Sequence, residues 1–560
     1  MTIKMDYTTD SYGSARWANE ADFQKEGLFS VSAAELSTEL PYDLRSRSGI
    51  LRENAQKRAF ILAKHGDPYA LMDGIREGYE QATGGFFSGL ASLFNKSSSS
   101  SYGADYIGWA GDGHLITVAP TRSGKGVGVV IPNLLNYPGS VLVVDPKGEN
   151  YAITHSWREE VLGQQIVCLD PFHVVCDASE GSDSINPFDG IVDYKKDPST
   201  YATQNPEILD EANMIADSLI MRDTEEKDPH WNDKCRTLLK GVVLAVMCGM
   251  GPHKARHLSE VRELLTSGTK AFDRLLARMA LDETSAGGLL KRASLEIQSM
   301  GGEEFKNVVS FALKHTEFLD SPVVGECLGV RRLGYRGTYN LRDMKRCGGV
   351  SIYMVLPPHY LARYVRLFRL WITMAMAAMT RSPGLPADGC PVLFMLDEMA
   401  QLGTMDMLRQ AVSLLAGYGM SIWMIWQDLS QLKTLYKTDW PSFVANAKIQ
   451  QFFGINDHET AKFISEMLGE ATIQIATTSS ASSRSKQNTS FFEATNTRNV
   501  SQSFSEKERY LLSPDEVRRL NRTAMLMFVQ GVPPILAERI AYYEDWLLSN
   551  RADENTCMTP

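Results

Sequence analysis

The chain has 560 residues, with 57 Lys and Arg against 67 Asp and Glu (formal charge -10), 44% hydrophobic and 22% charged. This length gives two or three domains, and the charge balance argues against a protein coated in basic nucleic-acid-binding surface while leaving room for a basic lining confined to a channel. Eight cysteines without a Cys-x-x-Cys pair suggest neither a zinc site nor a disulfide framework and read as reduced thiols, and no run reaches the roughly 18 apolar residues of a membrane-spanning helix.

Residues 1–105 read as an N-terminal arm, polar and aromatic over 1 to about 48, followed by a helical segment and a Ser-rich linker. In it, Arg16 and Trp17 of YGSARWA pin the chain onto a neighbouring domain. A helical segment is expected from about 49 to 94, and a flexible connector at SSSSS, 97–101. GHLITVAPTRSGKGVGVV, 113–130, is then a short apolar strand, a loop of small residues and a helix. The Walker A pattern asks for Gly, four residues, then Gly-Lys-Ser/Thr, so that backbone N–H groups converge on phosphate oxygens while the lysine reaches the terminal phosphates. Gly124 and Lys125 fit, but Ala119 stands at the first glycine and Gly126 at the hydroxyl position. The candidate phosphate-binding residues are Thr121, Arg122, Ser123, Gly124, Lys125, Gly126 and Val127.

PGSVLVVDPKGENY, 138–151, opens with the Val/Leu run of a strand covered on both faces. Asp145, Lys147 and Glu149 follow at its carboxyl end, on the edge where open α/β sheets bind ligands, or in a plain solvated turn. A helix over 151–162 and a strand over 165–171 come next. From about 184 to 330 apolar residues recur three and four apart, and an all-helical insertion, 190–335, is the simplest account. The α/β pattern resumes with a strand at 348–357 and a helix at 359–381.

PVLFMLDEMAQLG, 391–403, runs an apolar strand into Asp397 and Glu398. This is the Walker B arrangement, in which the first carboxylate positions Mg²⁺ and the second activates water. Another strand, MSIWMIWQ, ends in Gln427, placed to sense the terminal phosphate or orient water, or else to cap the next helix. The Ser/Thr/Asn-rich stretch 471–504 has too few apolar residues to pack and is expected as a mobile loop or hairpin. Its Arg484, Lys486 and Arg498 suit a DNA channel or a solvated loop. SPDEVRRL, 513–520, carries a capping box, and two strands joined at Pro533 and Pro534 end the pattern.

This order of parts resembles the coupling proteins of type IV secretion and conjugation systems, the TraG family of RecA-like motor ATPases related to FtsK. The blocks that carry the likeness are YGSARWA, HLITVAPTRSGKGVGVVIPNLL, VVDPKGENY, DPF (170–172), INPF (185–188), LDEMAQLG, AGYG (416–419) and LLSPDEVRRL. The resemblance implies an α/β fold: a RecA-like P-loop nucleotide-binding domain with a predominantly parallel sheet, in two parts (106–189 and 336–560), and an inserted all-α domain for substrate recognition. It further implies a homo-hexamer at the cytoplasmic side of the bacterial inner membrane. Such a ring receives single-stranded DNA with its relaxase, or protein substrates, and passes them to the type IV secretion channel with energy from ATP. By the same resemblance Lys125 sits on the phosphates, Asp397 on Mg²⁺, Glu398 on the attacking water, and Gln427 acts as sensor.

Three departures stand out. With Gly126 in place of a hydroxyl, water, Thr121 or Ser123 would complete the Mg²⁺ shell. AGYGMSIW has no arginine before the sensor strand, so a finger is sought at Arg409, Arg363 or Arg366. Family members commonly carry transmembrane helices before the GSARWA block, which here starts at Tyr12. Two other functions stay open: a chromosomal DNA translocase of the FtsK or HerA kind, and a nucleotide-dependent docking platform with little turnover.

Overall fold

The computed structural model describes residues 3–7, 17–18, 22, 28–31, 60–64, 106–177, 181–189, 207–221, 230–330, 338–345, 349–484 and 496–558. The connector 97–101 and Lys486 lie outside them. The strands are β1 (Ile3–Tyr7), β2 (Leu28–Val31), β3 (Phe60–Lys64), β4 (Tyr106–Trp109), β5 (His114–Val118), β6 (Val141–Asp145), β7 (Gln165–Leu169), β8 (Val350–Val355), β9 (Val392–Leu396), β10 (Met420–Trp426), β11 (Ala447–Phe453), β12 (Glu470–Arg484), β13 (Asn496–Tyr510), β14 (Ala524–Val529) and β15 (Ile535–Glu538).

Twelve of these strands make one sheet in the order β2-β4-β3-β15-β14-β11-β5-β10-β9-β6-β8-β7. From β11 to β7 every neighbouring pair is parallel. From β11 outward to β2 every pair is antiparallel. The parallel half is built from near-continuous runs of Val, Leu, Ile and Met because both its faces are covered. Successive residues alternate between two cores. Ile116, Leu142, Val144 and Met354 join one cluster, while Leu115, Val141, Val143 and Val355 join the cluster on the other side with Val130 and Leu134. A polar pin ties the two halves of the sheet together. Trp423 Nε1 donates to Thr117 Oγ1 at 2.9 Å, Thr117 Oγ1 donates to Gln451 Oε1 at 2.8 Å, and Gln451 Nε2 donates to the Leu62 carbonyl at 3.1 Å.

Between β7 and β8 the described residues form helices, among them Ile208–Leu219, His230–Met247, Leu258–Thr266, Thr269–Leu281, Leu289–Gln298 and Gly302–Thr316. Their apolar faces share a core with one face of the sheet and with the long helix Pro358–Thr380.

Buried Arg158 fastens the other face. Its Nε donates to Ser351 Oγ (2.6 Å), its Nη1 to the Leu134 and Tyr137 carbonyls (2.5 and 2.9 Å), and its Nη2 to the Gly139 carbonyl and Gln164 Oε1 (2.9 and 2.8 Å). Burial lowers its pKa to about 10, so the guanidinium remains charged, and it holds the end of the P-loop helix against β6 and β8.

Two local expectations change. The helical segment expected over 49–94 contains β3, which lies between β4 and β15 in the sheet; its Leu62 and Ala63 are buried, and a partner strand on each side outweighs the helical periodicity of the flanking sequence. The Ser/Thr-rich stretch takes the hairpin alternative: β12 and β13 pair antiparallel from Glu470↔Tyr510 to Arg484↔Asn496, and β1 adds to β12. Among the described residues no helix is long and apolar enough to cross a membrane.

Candidate functional site

The parallel topology places the carboxyl ends of β5, β6, β9 and β10 on one edge, which brings together residues far apart in the chain. β5 ends at Val118, and the Ala119 N–H donates to the Trp426 carbonyl at 2.9 Å, which locks the start of the loop to the end of β10. The loop then turns through two left-handed positions, Arg122 (φ 62°) and Gly124 (φ 87°). Lys125 begins the helix, whose first stretch, Gly126–Val130, is a π-turn in which the Ile131 N–H reaches back to the Gly126 carbonyl. N–H groups of a first helical turn have no intrahelical acceptor, and left-handed turns before them point more N–H groups the same way. The result is an anion cradle.

The side chains on this edge form one chain of contacts. Lys125, 7% exposed, puts Nζ 3.5 Å from Glu398 Oε1. Gln427 Nε2 donates to Glu398 Oε2 at 2.7 Å, and Thr121 Oγ1 donates to Gln427 Oε1 at 3.0 Å. Helix capping is left to the next residue, since Asp428 Oδ1 accepts the Gln431 N–H at 2.9 Å. Gln427 is therefore free to face the loop. Glu398 itself sits at φ 56°, ψ 44°, a left-handed conformation that costs a residue with a Cβ about 1 to 2 kcal/mol. Strain of that kind persists where surroundings over-determine it, here through the two bonds to its carboxylate.

Asp397 Oδ1 accepts the Glu398 N–H at 2.9 Å. Burial raises its pKa to about 6, against the pull of Lys125. Asp145, at the end of β6, is raised to about 7 by burial; Glu149 and Asp397 add to the rise, and the Tyr151 N–H on Oδ2 at 2.9 Å opposes it. Lys125 balances Glu398 and attracts Asp397, and Asp145 beside Asp397 adds a further hard oxygen donor, a set whose chemistry fits Mg²⁺. The two hydroxyls considered for the metal are otherwise engaged: Thr121 on Gln427, and Ser123 Oγ donating to the Pro120 carbonyl at 2.6 Å. A Cβ built on Gly126 meets nothing within 4 Å, so the position has room for the side chain it lacks.

Of the finger candidates, Arg363 pairs with Glu317 at 3.2 Å and Arg409 with Asp439 at 2.7 Å, while Arg366 is half-buried with its Nε unpartnered. A cleft of about 650 Å³ bordered by Asp217, Arg236, Arg369 and Arg409 lies apart from the Lys125 cluster. Sequence reasoning passed over Arg539, which follows β15. Its Nη1 donates to the Gly124 carbonyl at 3.3 Å, and the signals available were a charge at the end of an apolar strand and a glycine, Gly128, inside the helix after the loop.

The family model for type IV secretory system conjugative DNA transfer matches residues 85–560. The conjugal transfer protein TraG of Escherichia coli is 27% identical over 576 residues, 97% of this chain and 78% of that one. Protein VirD4 of Rhizobium radiobacter is 27% identical over 461 residues, 81% and 60% of the two chains. Among solved structures, the bacterial conjugative coupling protein TrwB lacking its N-terminal segment aligns with a TM-score of 0.53 at 16% identity, covering 76% of this chain and 85% of that one. The plasmid coupling protein TrwB in complex with ADP and Mg²⁺ aligns with a TM-score of 0.52 at 15% identity over the same shares. At these identities the structures establish a shared fold.

Proposed function

Because the chain belongs to the family of type IV secretory system conjugative DNA transfer proteins, we propose that it is a coupling protein: an ATP-hydrolysing motor that delivers DNA with its relaxase, or protein substrates, to the secretion channel. The observation that carries this reading is the contact chain from Lys125 through Glu398 and Gln427 to Thr121 at the carboxyl edge of the sheet. It supplies a cation for phosphate, a carboxylate for water and an amide to aim that carboxylate. The helices between β7 and β8, within 190–335, are the proposed substrate-recognition domain. A homo-hexamer at the cytoplasmic face of the inner membrane is the proposed assembly.

In this reading the N–H groups of Gly124 to Val127 hold the phosphate chain, the Ser123 N–H being spent on the Pro120 carbonyl, and Lys125 leaves Glu398 for the γ-phosphate. Asp397, with Asp145 behind it, would hold Mg²⁺, which when bound offsets phosphate charge. Glu398 Oε2, kept in place by Gln427, accepts a proton from water as the water oxygen bonds to the γ-phosphorus. The β–γ bridging oxygen then leaves with ADP. Removing Glu398 from Lys125 exchanges one anion for another, so the lysine stays paired throughout.

The test is Lys125→Ala, scored by nucleotide binding, steady-state ATP hydrolysis with and without single-stranded DNA, and plasmid transfer in cells. Hydrolysis and transfer are expected to vanish together, and DNA is expected to stimulate the unaltered protein. Turnover retained in Lys125→Ala would overturn the assignment. Turnover that DNA leaves unchanged, with relaxase still bound, would replace the motor by a docking platform.

A further inference from the structure

Among the described residues Arg539 makes no ion pair, although Glu544 attracts it from farther off. It is half-buried, follows β15, and lies beside the P-loop of its own chain, where Nη1 reaches the Gly124 carbonyl at 3.3 Å and the guanidinium lies 5.8 Å from the centre of the Phe453 ring. No carboxylate among the described residues forms an ion pair with it, and its Nε is shielded from solvent without a partner. Leaving donors unmet next to a cradle of N–H groups costs stability, so the arrangement is informative only if an acceptor arrives.

The loop lies close against this side chain and the backbone after it. A Cβ on Gly124 would stand 1.7 Å from Arg539 Nη1, and one on Gly128 would stand 2.9 Å from Arg539 Cγ and 2.7 Å from the Ile540 carbonyl. Gly128 is thus required by the Ile540 carbonyl, a backbone atom, and Gly124 by its positive φ, with the movable Arg539 guanidinium filling the space beside it. The backbone beside it is tied down: the Tyr542 N–H donates to the Val127 carbonyl at 3.2 Å and the Arg539 N–H to the Thr523 carbonyl at 2.7 Å. The backbone that carries the guanidinium is therefore fixed on both flanks, and the guanidinium itself is placed by its bond to the Gly124 carbonyl and by the Phe453 ring.

Its position along the loop decides what it meets. The γ end of a bound nucleotide is marked by Glu398 and Gln427, which come from the β9 and β10 side of β5. Arg539 enters from the opposite side of β5, over Phe453 at the end of β11. Resting on the nucleotide reading of the P-loop, we propose that Arg539 contacts the α-phosphate of the nucleotide bound to the same chain, as a positioning residue at the end of the phosphate chain remote from the bond that breaks. A γ-phosphate finger in trans is a separate requirement that Arg539 does not meet.

The experiment measures calorimetric binding of ADP and of a non-hydrolysable ATP analogue, each with Mg²⁺, to the full chain and to Arg539→Gln, Arg539→Lys and Lys125→Ala. Thermal midpoints are taken without nucleotide to show that each variant folds. Loss of a charge-assisted bond is expected to weaken Arg539→Gln about tenfold or more, equally for the two nucleotides, since both carry an α-phosphate. Arg539→Lys recovers part of the loss. Lys125→Ala loses more of the triphosphate analogue than of ADP.

Unchanged affinity in Arg539→Gln, or a loss confined to the triphosphate, overturns the α-phosphate contact while leaving the P-loop reading intact. A loss equal in Gln and Lys variants, with a lowered nucleotide-free midpoint, also overturns it and makes Arg539 a brace for Gly124. No nucleotide binding by the unaltered chain overturns the P-loop reading and this inference with it.

Discussion

Replacing Glu398 by Gln separates catalysis from folding. The amide keeps the side chain's volume, its reach to Gln427 and the left-handed backbone at φ 56°; what disappears is the charge. On the stability side the loss is the pair with Lys125 at 3.5 Å, whose two side chains are 8% and 28% exposed. Such a partly solvated pair contributes about 1 kcal/mol or less. The bond from Gln427 Nε2 at 2.7 Å survives, because the new amide oxygen accepts it. On the catalytic side the loss is the group that takes the proton from water, worth roughly 10²- to 10⁴-fold in rate, about 3 to 5 kcal/mol of barrier.

The expected phenotype is therefore a folded protein with a thermal midpoint near that of the unaltered chain, Mg²⁺-dependent binding of ATP at least as tight, and hydrolysis lowered by two to four orders of magnitude. Tighter binding follows if Lys125, released from Glu398, rests on the γ-phosphate before chemistry. Calorimetry, equilibrium binding and a single-turnover assay measure the three quantities. Turnover within about threefold of the unaltered protein would refute the role of Glu398. So would a rate loss matched by an equal loss of folded protein.

Gly126→Ser is expected to fold and to hydrolyse ATP, because the position is open to 4 Å and has no positive φ, and Ser is better than Gly inside a helix by about 0.5 kcal/mol. The added hydroxyl should lower the Mg²⁺ concentration for half-maximal activity, and an unchanged Mg²⁺ titration would mean that the hydroxyl does not reach the ion. Arg158→Met should destabilise the fold by about 3 kcal/mol or more, since it leaves the carbonyls of Leu134, Tyr137 and Gly139 buried without their donor; a thermal midpoint like that of the unaltered chain would refute this. His315 is held neutral by burial, its pKa lowered from 6.5 to about 4. A base with a depressed folded pKa contributes stability that is present above pH 6.5 and lost as pH falls toward 4. His315→Phe should therefore narrow the stability difference between pH 7.5 and pH 5 by about 2 kcal/mol, and parallel pH profiles for the two proteins would contradict the assignment.

Both strands that carry chemistry were legible because each is an apolar run that stops at a polar residue. LITVA ends at the glycine-rich loop and VLFML ends at Asp397. In a parallel sheet covered on both faces, an ionised group is costly within the strand, so the charges of these segments gather at the carboxyl edge, while a neutral polar residue such as Thr117 is tolerated inside only with its bonds made. The same logic found Gln427 but left its role open between sensor and cap, since a linear reading does not show that Asp428 caps the next helix. β3 escaped because a run of only five residues, FILAK, with four apolar ones in a row, carries neither a helical nor an alternating period; pairing with β4 and β15 decides the matter, and that pairing is not local.

Arg539 shows where such reading stops. It is separated from Gly124 by 415 positions, and in ILAERIAYY it reads as one charge in a half-exposed strand. Only the antiparallel turn of β14 and β15 onto β11 carries it to the loop. SGKGVG nevertheless held a trace of this contact. A phosphate cradle accounts for Gly124, but Gly128 lies within the first helical stretch, where glycine costs about 1 kcal/mol relative to alanine. A glycine inside a helix signals close approach by something else. Here that something is the Arg539 stem and the Ile540 carbonyl. An unexplained glycine one turn beyond the lysine is thus a local mark of a long-range partner, and Gly128→Ala should reproduce part of the Arg539→Gln binding defect if the two glycines and the arginine form one device.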